Sequence, residues 1–446
     1  MLSSLFAEFI KEMSYDELPE SIKTKAKNSI IDWMGVAAAG YMRPSTQHAL
    51  QLSGEEGNIP VSSLIGTGKK TSPMWGALIN GISSHAVDMD DLHRKTYLHP
   101  GAAIIPAALA IAEKRGCSGK ELIMSVILGY DIAIRIAEAV SPVHNNSWYS
   151  TGTCGTFGAA AAAGRIAGLD VEKLVCAIGN AGMQASGLYE LSVGRTMSKQ
   201  LNAGKAAMDG LLAVLLAEKG FAGPDKIIEG TNGFLNAFSQ KHEEKSLEEE
   251  LGRYFKISET SFKLYPSARH THAAIDLALR MMDRGVTADN IELIRIKTYR
   301  LAKEKLSNLM PESVEEAKHS MPYCVAAAFV RGLPKLETFA EERLSSKKIK
   351  KLMVHCTVEI DPELDMKHPD YWPITMEIID SKSHIVREHS DYPKGDPENP
   401  VAPVELQDKF KRLFSKMVSA ERADELLEKL AELEKVEDVS QLKLFE

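Results

Sequence analysis

The first 260 or so residues carry apolar positions at helical spacing, punctuated by Ser or Asp caps and by glycine stops. Small residues are unusually dense in three stretches, which begin at Gly155, Cys176 and Asn202. Alanine and glycine at helical spacing let the axes of neighbouring helices approach closely. The pattern predicts a compact, all-helical domain with a buried, alanine-rich centre.

The pattern changes near Asp289 from helical spacing to alternation of apolar and polar residues. Alternating, β-branched segments predict three strands, at residues 291–299, 353–360 and 374–380. The last of these is followed by a second alternating segment after Ser381–Ser383, which predicts a hairpin. Helical patterns lie between the strands. This part of the chain is therefore expected to mix helices with a sheet.

A proline-rich segment at residues 395–403 ends the mixed region, and two charged, amphipathic helices are predicted between residues 404 and 433. We therefore expect a mainly α protein. Its helical domain would comprise residues 1–268 and 401–446, and a smaller α+β domain would comprise residues 269–400.

The composition narrows the class of protein. Of 446 residues, 44% are hydrophobic and 26% are charged, as in ordinary globular proteins. A formal net charge of -8 and a pI near 6.0 argue against nucleic acid or an anionic membrane as the main partner. The five cysteines form no C-x-x-C pair, which is typical of a reducing compartment. We expect a cytoplasmic protein with no nucleic-acid partner and no membrane span.

The segment from His85 to His99 concentrates titratable residues between two apolar runs. It contains three histidines and three aspartates, namely His85, His93, His99, Asp88, Asp90 and Asp91. Buried charges cost several kcal/mol unless they are paired. Titratable groups between buried helices are also where pKa values are tuned for proton transfer. We expect the acid–base chemistry to lie here.

Two other interpretations of this cluster stay open. Histidine and aspartate are metal ligands, and His270 and His272 could add to them, but no spacing places two ligands on one helical face. Alternatively, Asp90, Asp91 and His93 cap a polar helix end and have a purely structural role. Acid–base catalysis without a metal is preferred over both.

Further candidates lie along the helical region. Tyr149 precedes a helix whose first turn is rich in Thr and Gly, and free amides at a helix start attract a carboxylate. Lys199, Lys205 and Lys263 flank apolar or glycine-rich segments and are candidates for an anion site, although a single lysine usually lies on a solvated face. Cys154 is a weak nucleophile candidate because the sequence pairs it with no base.

Five motifs, in this order, resemble the MmgE/PrpD family, and the resemblance covers nearly the whole chain. The motifs are HAVDMDDLHRKTYLHPGAAIIPAALA, STGTCGTFGAAAAAGRIAGL, the Lys199 segment continuing into NAGKAAMDGLLAVLLAEKGFAGP, FKLYPSARHTHAAID and SMPYCVAAA. The resemblance implies a large helical domain, a smaller α+β lid, a homodimer, and catalysis with neither a metal nor an organic cofactor.

The resemblance also implies site residues. The family's acid–base and anion-binding positions correspond to Asp88, His99, Lys199 and Lys263. The two lysines would hold substrate carboxylates, and His99 would act as a base that Asp88 orients or stabilises. Tyr149 stands where members that dehydrate or decarboxylate commonly carry histidine.

The expected function follows from the resemblance. We expect a metal-independent enzyme that acts at a carbon next to a carboxylate of a small di- or tricarboxylate, most simply a lyase similar to 2-methylcitrate dehydratase. Tyr149, and Leu92 where some members carry threonine, depart from the family pattern. These departures keep open an epimerase or racemase of an imino- or aminodicarboxylate. A non-catalytic family member is the third alternative, and retention of the four family positions argues against it.

Overall fold

The computed structural model describes residues 1–57, 59–192, 196–442 and 444 of the chain. These residues divide into two compact units, one comprising Met1–Ser261 with Ala402–Glu446 and the other Phe262–Val401. The first unit is helical and the second combines helices with a sheet, which confirms the predicted fold class. None of the helices in the described ranges is long and apolar enough to cross a bilayer.

The first unit boundary falls before Phe262, whereas the composition placed it before residue 269. The backbone explains the difference. Phe262 N–H donates to the carbonyl of Gly395 at 2.9 Å, and Ala268 N–H donates to the carbonyl of Lys318 at 3.0 Å. Both ends of the segment between residues 262 and 268 are therefore hydrogen-bonded within the second unit.

The first unit is built from α-helices around an alanine-rich centre. Its helices before the second unit are α1 (Leu2–Glu12), α2 (Glu20–Gly40), α3 (Pro44–Glu55), α4 (Pro73–His85), α5 (Pro100–Arg115), α6 (Gly119–Val140), α7 (Ser150–Ile166), α8 (Val171–Gln184), α9 (Ser198–Glu218), α10 (Phe234–Phe238) and α11 (Lys245–Glu248). Short antiparallel strands pair β1 (Ser62–Ser63) with β2 (Lys70–Thr71), and β3 (Leu92–His93) with β4 (Thr260–Ser261).

The second unit contains a four-stranded sheet with the order β6-β5-β7-β8. Its strands are β5 (Ile291–Thr298), β6 (Cys356–Ile360), β7 (Ile374–Asp380) and β8 (Ile385–Ser390). Its helices are α12 (His272–Asp283), α13 (Arg300–Leu306), α14 (Val314–Lys318), α15 (Met321–Arg331), α16 (Glu341–Leu344), α17 (Lys347–Met353) and α18 (Pro362–Asp365). The predicted strands and the hairpin are confirmed, although β6 begins later than predicted because α17 extends to Met353.

The C-terminal segment belongs to the first unit. It forms α19 (Pro403–Phe414) and α20 (Ala420–Ala431), the two amphipathic helices predicted from the charge pattern. A Cβ built on Gly35 of α2 would lie 3.2 Å from Phe410 Cα, so the backbones of α2 and α19 are in close contact. The chain after residue 401 is thus part of the helical core.

Glycines set the spacing between the central helices α4 and α9. A Cβ on Gly81 would lie 2.7 Å from Gly204 Cα and 3.0 Å from the carbonyl oxygen of Ala102. Real Cβ atoms do not approach backbone atoms so closely, so α4 and α9 touch backbone to backbone. This contact fixes the end of α4 beside the start of α9.

Gly81→Ala should therefore lower the free energy of unfolding by about 1–3 kcal/mol, the usual cost of overpacking a core. Gly54→Ala is the matched control, because Gly54 also lies in a helix but a Cβ there would meet nothing within 4 Å. That substitution should leave stability unchanged or raise it by up to about 1 kcal/mol. Thermal unfolding followed by circular dichroism tests both variants, and equal melting temperatures for the two would contradict the close contact.

Candidate active site

The segment between α4 and α5 turns its polar side chains into the protein. It starts after His85, the last residue of α4, and ends at His99, which immediately precedes α5. Asp88 has a left-handed backbone with φ of 57°, which is uncommon for a residue other than glycine. All six titratable residues singled out from the sequence of this segment are buried. The chain path therefore gathers charged groups in a space with little water.

Asp90 is shared by two imidazoles. Its Oδ2 lies 2.6 Å from His85 Nδ1 and 2.9 Å from His99 Nδ1, and its side chain is 1% exposed. The two rings meet edge to face, with centroids 4.8 Å apart. Burial alone would raise the pKa of Asp90, but the two imidazoles outweigh burial and hold the pKa well below its usual value. Asp90 is thus a buried carboxylate.

His85 connects Asp90 to Tyr149. Its Nε2 lies 2.6 Å from the Tyr149 hydroxyl, on the opposite side of the ring from Asp90. Burial raises the pKa of Tyr149, although the charge of Lys199 acts in the other direction. The order carboxylate, imidazole, hydroxyl is the arrangement in which an oriented base can exchange a proton with a hydroxyl group.

His99 is a neutral imidazole at pH 7. Burial lowers its pKa to about 4, although Asp90 acts to raise it. The backbone N–H of His99 donates to Thr151 Oγ1 at 3.0 Å, which ties the start of α5 to the first turn of α7. A neutral imidazole in a fixed position can accept a proton.

Lys199 supplies a positive charge next to these groups. Its Nζ donates to Asp88 Oδ1 at 2.7 Å, and its side chain is partly exposed. Burial acts to lower the pKa of Lys199, but attraction to Asp88 outweighs it, so the pKa is raised and the ammonium stays charged. The hypothesis that Asp88 orients His99 needs correction. The carboxylate in contact with His99 Nδ1 is that of Asp90, and Asp88 binds Lys199.

Asp91 caps a backbone amide, as the structural interpretation predicts, whereas His93 contacts other side chains. Asp91 accepts from Gly101 N–H at 3.0 Å and from the Tyr130 hydroxyl at 2.7 Å, so it holds the first turn of α5 against α6. Burial raises the pKa of Asp91 to about 7. His93 Nε2 lies 3.2 Å from Glu259 Oε2 beside the β3–β4 pair. The same structural role was considered for Asp90, which instead lies at the centre of the cluster.

The other candidates from the sequence lie elsewhere or lack reactivity. Lys205 pairs with Asp209 on its own helix. Cys154 is fully buried, and burial raises its pKa to about 12, which disfavours the nucleophilic thiolate. Lys263 is buried in the second unit, so its part in the site stays a prediction. His270 lies in the same unit, with Nδ1 2.5 Å from the Tyr299 hydroxyl.

Two groups of side chains among the described residues bring potential metal donors within 4.8 Å of one another: His85, Asp90 and His99, and separately His93, Glu138 and Glu259. In the first group, the contacts of 2.6 and 2.9 Å are hydrogen-bond distances. Two ligands of a tetrahedral zinc ion stand roughly 3.3 Å apart. In the second group, Lys256 Nζ already lies 2.9 Å from Glu138 and 3.0 Å from Glu259. In both groups the potential donors are thus already engaged with one another or with a lysine.

His85 and Asp90 belong to the candidate site in the structure, although the motifs point only to Asp88 and His99 within this segment. Three aspartates within four positions look alike in the sequence. What separates them is the backbone path, including the left-handed turn at Asp88. The one available signal is that His85 is the last residue of a helix with no other titratable side chain, where a buried histidine needs a partner.

Comparison with known families covers both units. The profile of the MmgE/PrpD N-terminal domain matches residues 4–247, and that of the MmgE/PrpD C-terminal domain matches residues 265–434. The chain belongs to the MmgE/PrpD family. The network of Asp90, His85, Tyr149 and His99 lies within the part that matches the N-terminal domain of the family.

Several relatives of this MmgE/PrpD protein are named for one activity. The cis-aconitate decarboxylase-like protein oryM of Aspergillus oryzae is 25% identical, over 97% of this chain and 95% of the relative. Cis-aconitate decarboxylase of Mus musculus is 25% identical, over 98% and 91%. Cis-aconitate decarboxylase of Aspergillus terreus is 27% identical, over 64% and 60%. The chain is similar to these proteins along most of its length.

The low pKa of His99 predicts how stability depends on pH. Between the usual value of 6.5 and the folded value of about 4, the unfolded chain binds a proton at His99 that the folded protein does not. The contribution of His99 to the free energy of unfolding is therefore fully present above pH 6.5 and is lost as the pH falls toward 4. His99→Gln removes the effect, so the stability of the wild type minus that of the variant should fall by about 3 kcal/mol across this window.

Urea unfolding of both proteins from pH 4 to pH 8 measures this difference. A difference that stays constant would mean that folding does not lower the pKa of His99, and a difference that increases as the pH falls would mean that folding raises it. Either result would contradict the claim that burial keeps His99 neutral.

Proposed function

We propose that this MmgE/PrpD protein is a lyase that acts without a metal at a carbon next to a carboxylate of a small di- or tricarboxylate. The observation that supports this most is the contact of one buried carboxylate, Asp90, with both His85 and His99. In this proposal the network transfers protons, and the Lys199 ammonium binds a carboxylate of the substrate. Relatives named as decarboxylases, which are lyases, agree with it.

In a dehydration of the 2-methylcitrate dehydratase type, His99 accepts the proton from the carbon next to the carboxylate. The C–H electron pair forms the new double bond, and the C–O bond at the neighbouring carbon breaks. Tyr149 gives its proton to the departing hydroxyl, which leaves as water. Lys199 offsets the negative charge that builds up on the substrate carboxylate during proton removal.

The role of Tyr149 depends on the protonation of His85. When both ring nitrogens of His85 carry protons, Nε2–H donates to the Tyr149 oxygen and leaves the phenol proton available to the substrate. When only Nδ1 is protonated, toward Asp90, Nε2 instead accepts the phenol proton. The first state makes Tyr149 an acid, as a lyase requires, and the second makes it a base.

An epimerase of an imino- or aminodicarboxylate is the second candidate, and the 2.6 Å contact between His85 and Tyr149 favours it. An epimerase needs a base that removes a proton from one face of a carbon and an acid that returns a proton to the other. With Asp90 and His85 behind it, Tyr149 could serve one face and His99 the other.

Four expectations stay predictions. Lys263 is proposed to bind a second substrate carboxylate, and the second unit is proposed to act as a lid. A homodimer and a cytoplasmic location follow from the family resemblance and from the composition, respectively.

A single experiment tests the proposal and separates the two candidates. Protein dialysed against a strong chelator is incubated in deuterated water with 2-methylcitrate, cis-aconitate or iminodisuccinate, and products are followed by NMR. A lyase should release water or carbon dioxide from one of these compounds, whereas an epimerase should invert and deuterate a stereocentre without losing any group. Lys199→Ala should weaken binding of the same compound by roughly 1.5–3 kcal/mol.

Two results would contradict the proposal. Activity that is lost on chelation and restored by one divalent ion would contradict catalysis without a metal, and one of the two groups of potential metal donors would then hold the ion. An absence of both deuterium exchange and turnover with every compound would favour the non-catalytic alternative.

A further inference from the structure

A buried ion pair lies behind the active-site segment. Lys409 on α19 places its Nζ 2.6 Å from Asp32 Oδ1 on α2, and each side chain is 1% exposed. Burial lowers the pKa of Lys409 and raises that of Asp32, while each partner acts against the shift of the other. Burying such a pair costs free energy that a pair of apolar residues would not. The pair therefore calls for an explanation other than stability.

The ammonium has a second partner in the active-site segment. Lys409 Nζ donates to the carbonyl oxygen of Met89 at 2.8 Å, across 320 residues of sequence. Met89 stands between Asp88, which binds Lys199, and Asp90, which contacts both His85 and His99. The lysine thus holds the one residue that separates the two carboxylates of the site.

The segment needs such a contact. Asp88 adopts a left-handed backbone, a conformation that persists only where the surroundings impose it. The next backbone pairing along the segment is at β3, where Leu92 and His93 pair with Ser261 and Thr260. The hydrogen bond from Lys409 fixes the peptide between these two points.

We propose that Lys409 is a positioning residue, which fixes the Met89 peptide and thereby sets where the carboxylates of Asp88 and Asp90 lie. Asp32 orients the ammonium, because it offers a buried carboxylate at 2.6 Å. Through Lys409, the C-terminal helix α19 therefore contributes to the geometry of the candidate active site. The inference rests on the proposed function only where turnover is the readout.

Two variants of the full chain separate positioning from pairing. Asp32→Leu with Lys409→Met removes both charges and leaves Met89 without its donor. Asp32→Asn breaks the ion pair but keeps the Lys409 amine, which can donate to the Met89 carbonyl whether it is charged or neutral. Hydrogen–deuterium exchange of peptides covering residues 86–99, read by mass spectrometry, reports the segment without any substrate.

The donor-less variant should exchange at least about tenfold faster in this segment, with the rest of the chain unchanged. Its kcat/KM on the compound identified in deuterated water should fall by a similar factor, because the segment positions both Asp90 and Asp88, the partner of Lys199. The variant that keeps the donor should match the wild type in both readouts. If the wild type turns over none of the compounds, the proposed function is contradicted. The hydrogen–deuterium exchange result can still be interpreted, because it needs no substrate.

If residues 86–99 of the donor-less variant exchange at the same rate as in the wild type, the proposal is wrong. Equal acceleration in both variants would also overturn it, because it would assign the effect to the charge pair and not to the hydrogen bond. If the donor-less variant does not fold, Asp32→Asn with Lys409→Met replaces it, since this change also lacks a donor to Met89 and perturbs Asp32 less. The same two outcomes then apply.

Discussion

One negative charge, buried on Asp90, constrains the whole candidate site. It faces two imidazoles at 2.6 and 2.9 Å, and it cannot fully stabilise a positive charge on both. Burial keeps His99 neutral, so the charge of Asp90 is available to orient His85. His85 in turn contacts Tyr149. The two groups proposed to transfer protons are therefore coupled through a single carboxylate, although they precede different helices.

The fold brings these groups together because each lies at a helix end. His85 ends α4, His99 and Tyr149 immediately precede α5 and α7, and Lys199 lies in the first turn of α9. Glycine contacts between α4 and α9 let those ends approach. Helix N-termini carry partial positive charge, so three helix starts beside an ammonium favour a substrate with carboxylates. The small residues of the helical core thus allow the helix ends that form the candidate site to come together.

Much of this was predictable from periodicity and motifs. The helical unit, the strands of the second unit and the β7–β8 hairpin follow from patterns of 3.6 and 2 residues. Asp88, His99, Tyr149 and Lys199 follow from motifs, and the structure places all four in the first unit.

The partner of each group did not follow from the sequence. Which of Asp88, Asp90 and Asp91 contacts His99 depends on a left-handed turn that no periodicity encodes. The contact between Lys409 and Met89 joins segments 320 residues apart, and no local pattern connects them. The unit boundary at residue 262 depends on hydrogen bonds to residues far along the chain. Each of these features depends on tertiary structure and not on a local sequence pattern.

The most direct test of the account compares Asp90→Asn with Asp91→Asn. Both aspartates are buried neighbours, but the pKa of Asp91 is already raised to about 7 and its partners are Tyr130 and the Gly101 amide. The measured quantity is the rate of deuterium incorporation into the carboxylate substrate, with folding checked by circular dichroism. We expect Asp90→Asn to lower this rate by at least about 10²-fold and Asp91→Asn to change it only a few-fold. A folded Asp90→Asn protein that exchanges at the wild-type rate would contradict the central role of the shared carboxylate.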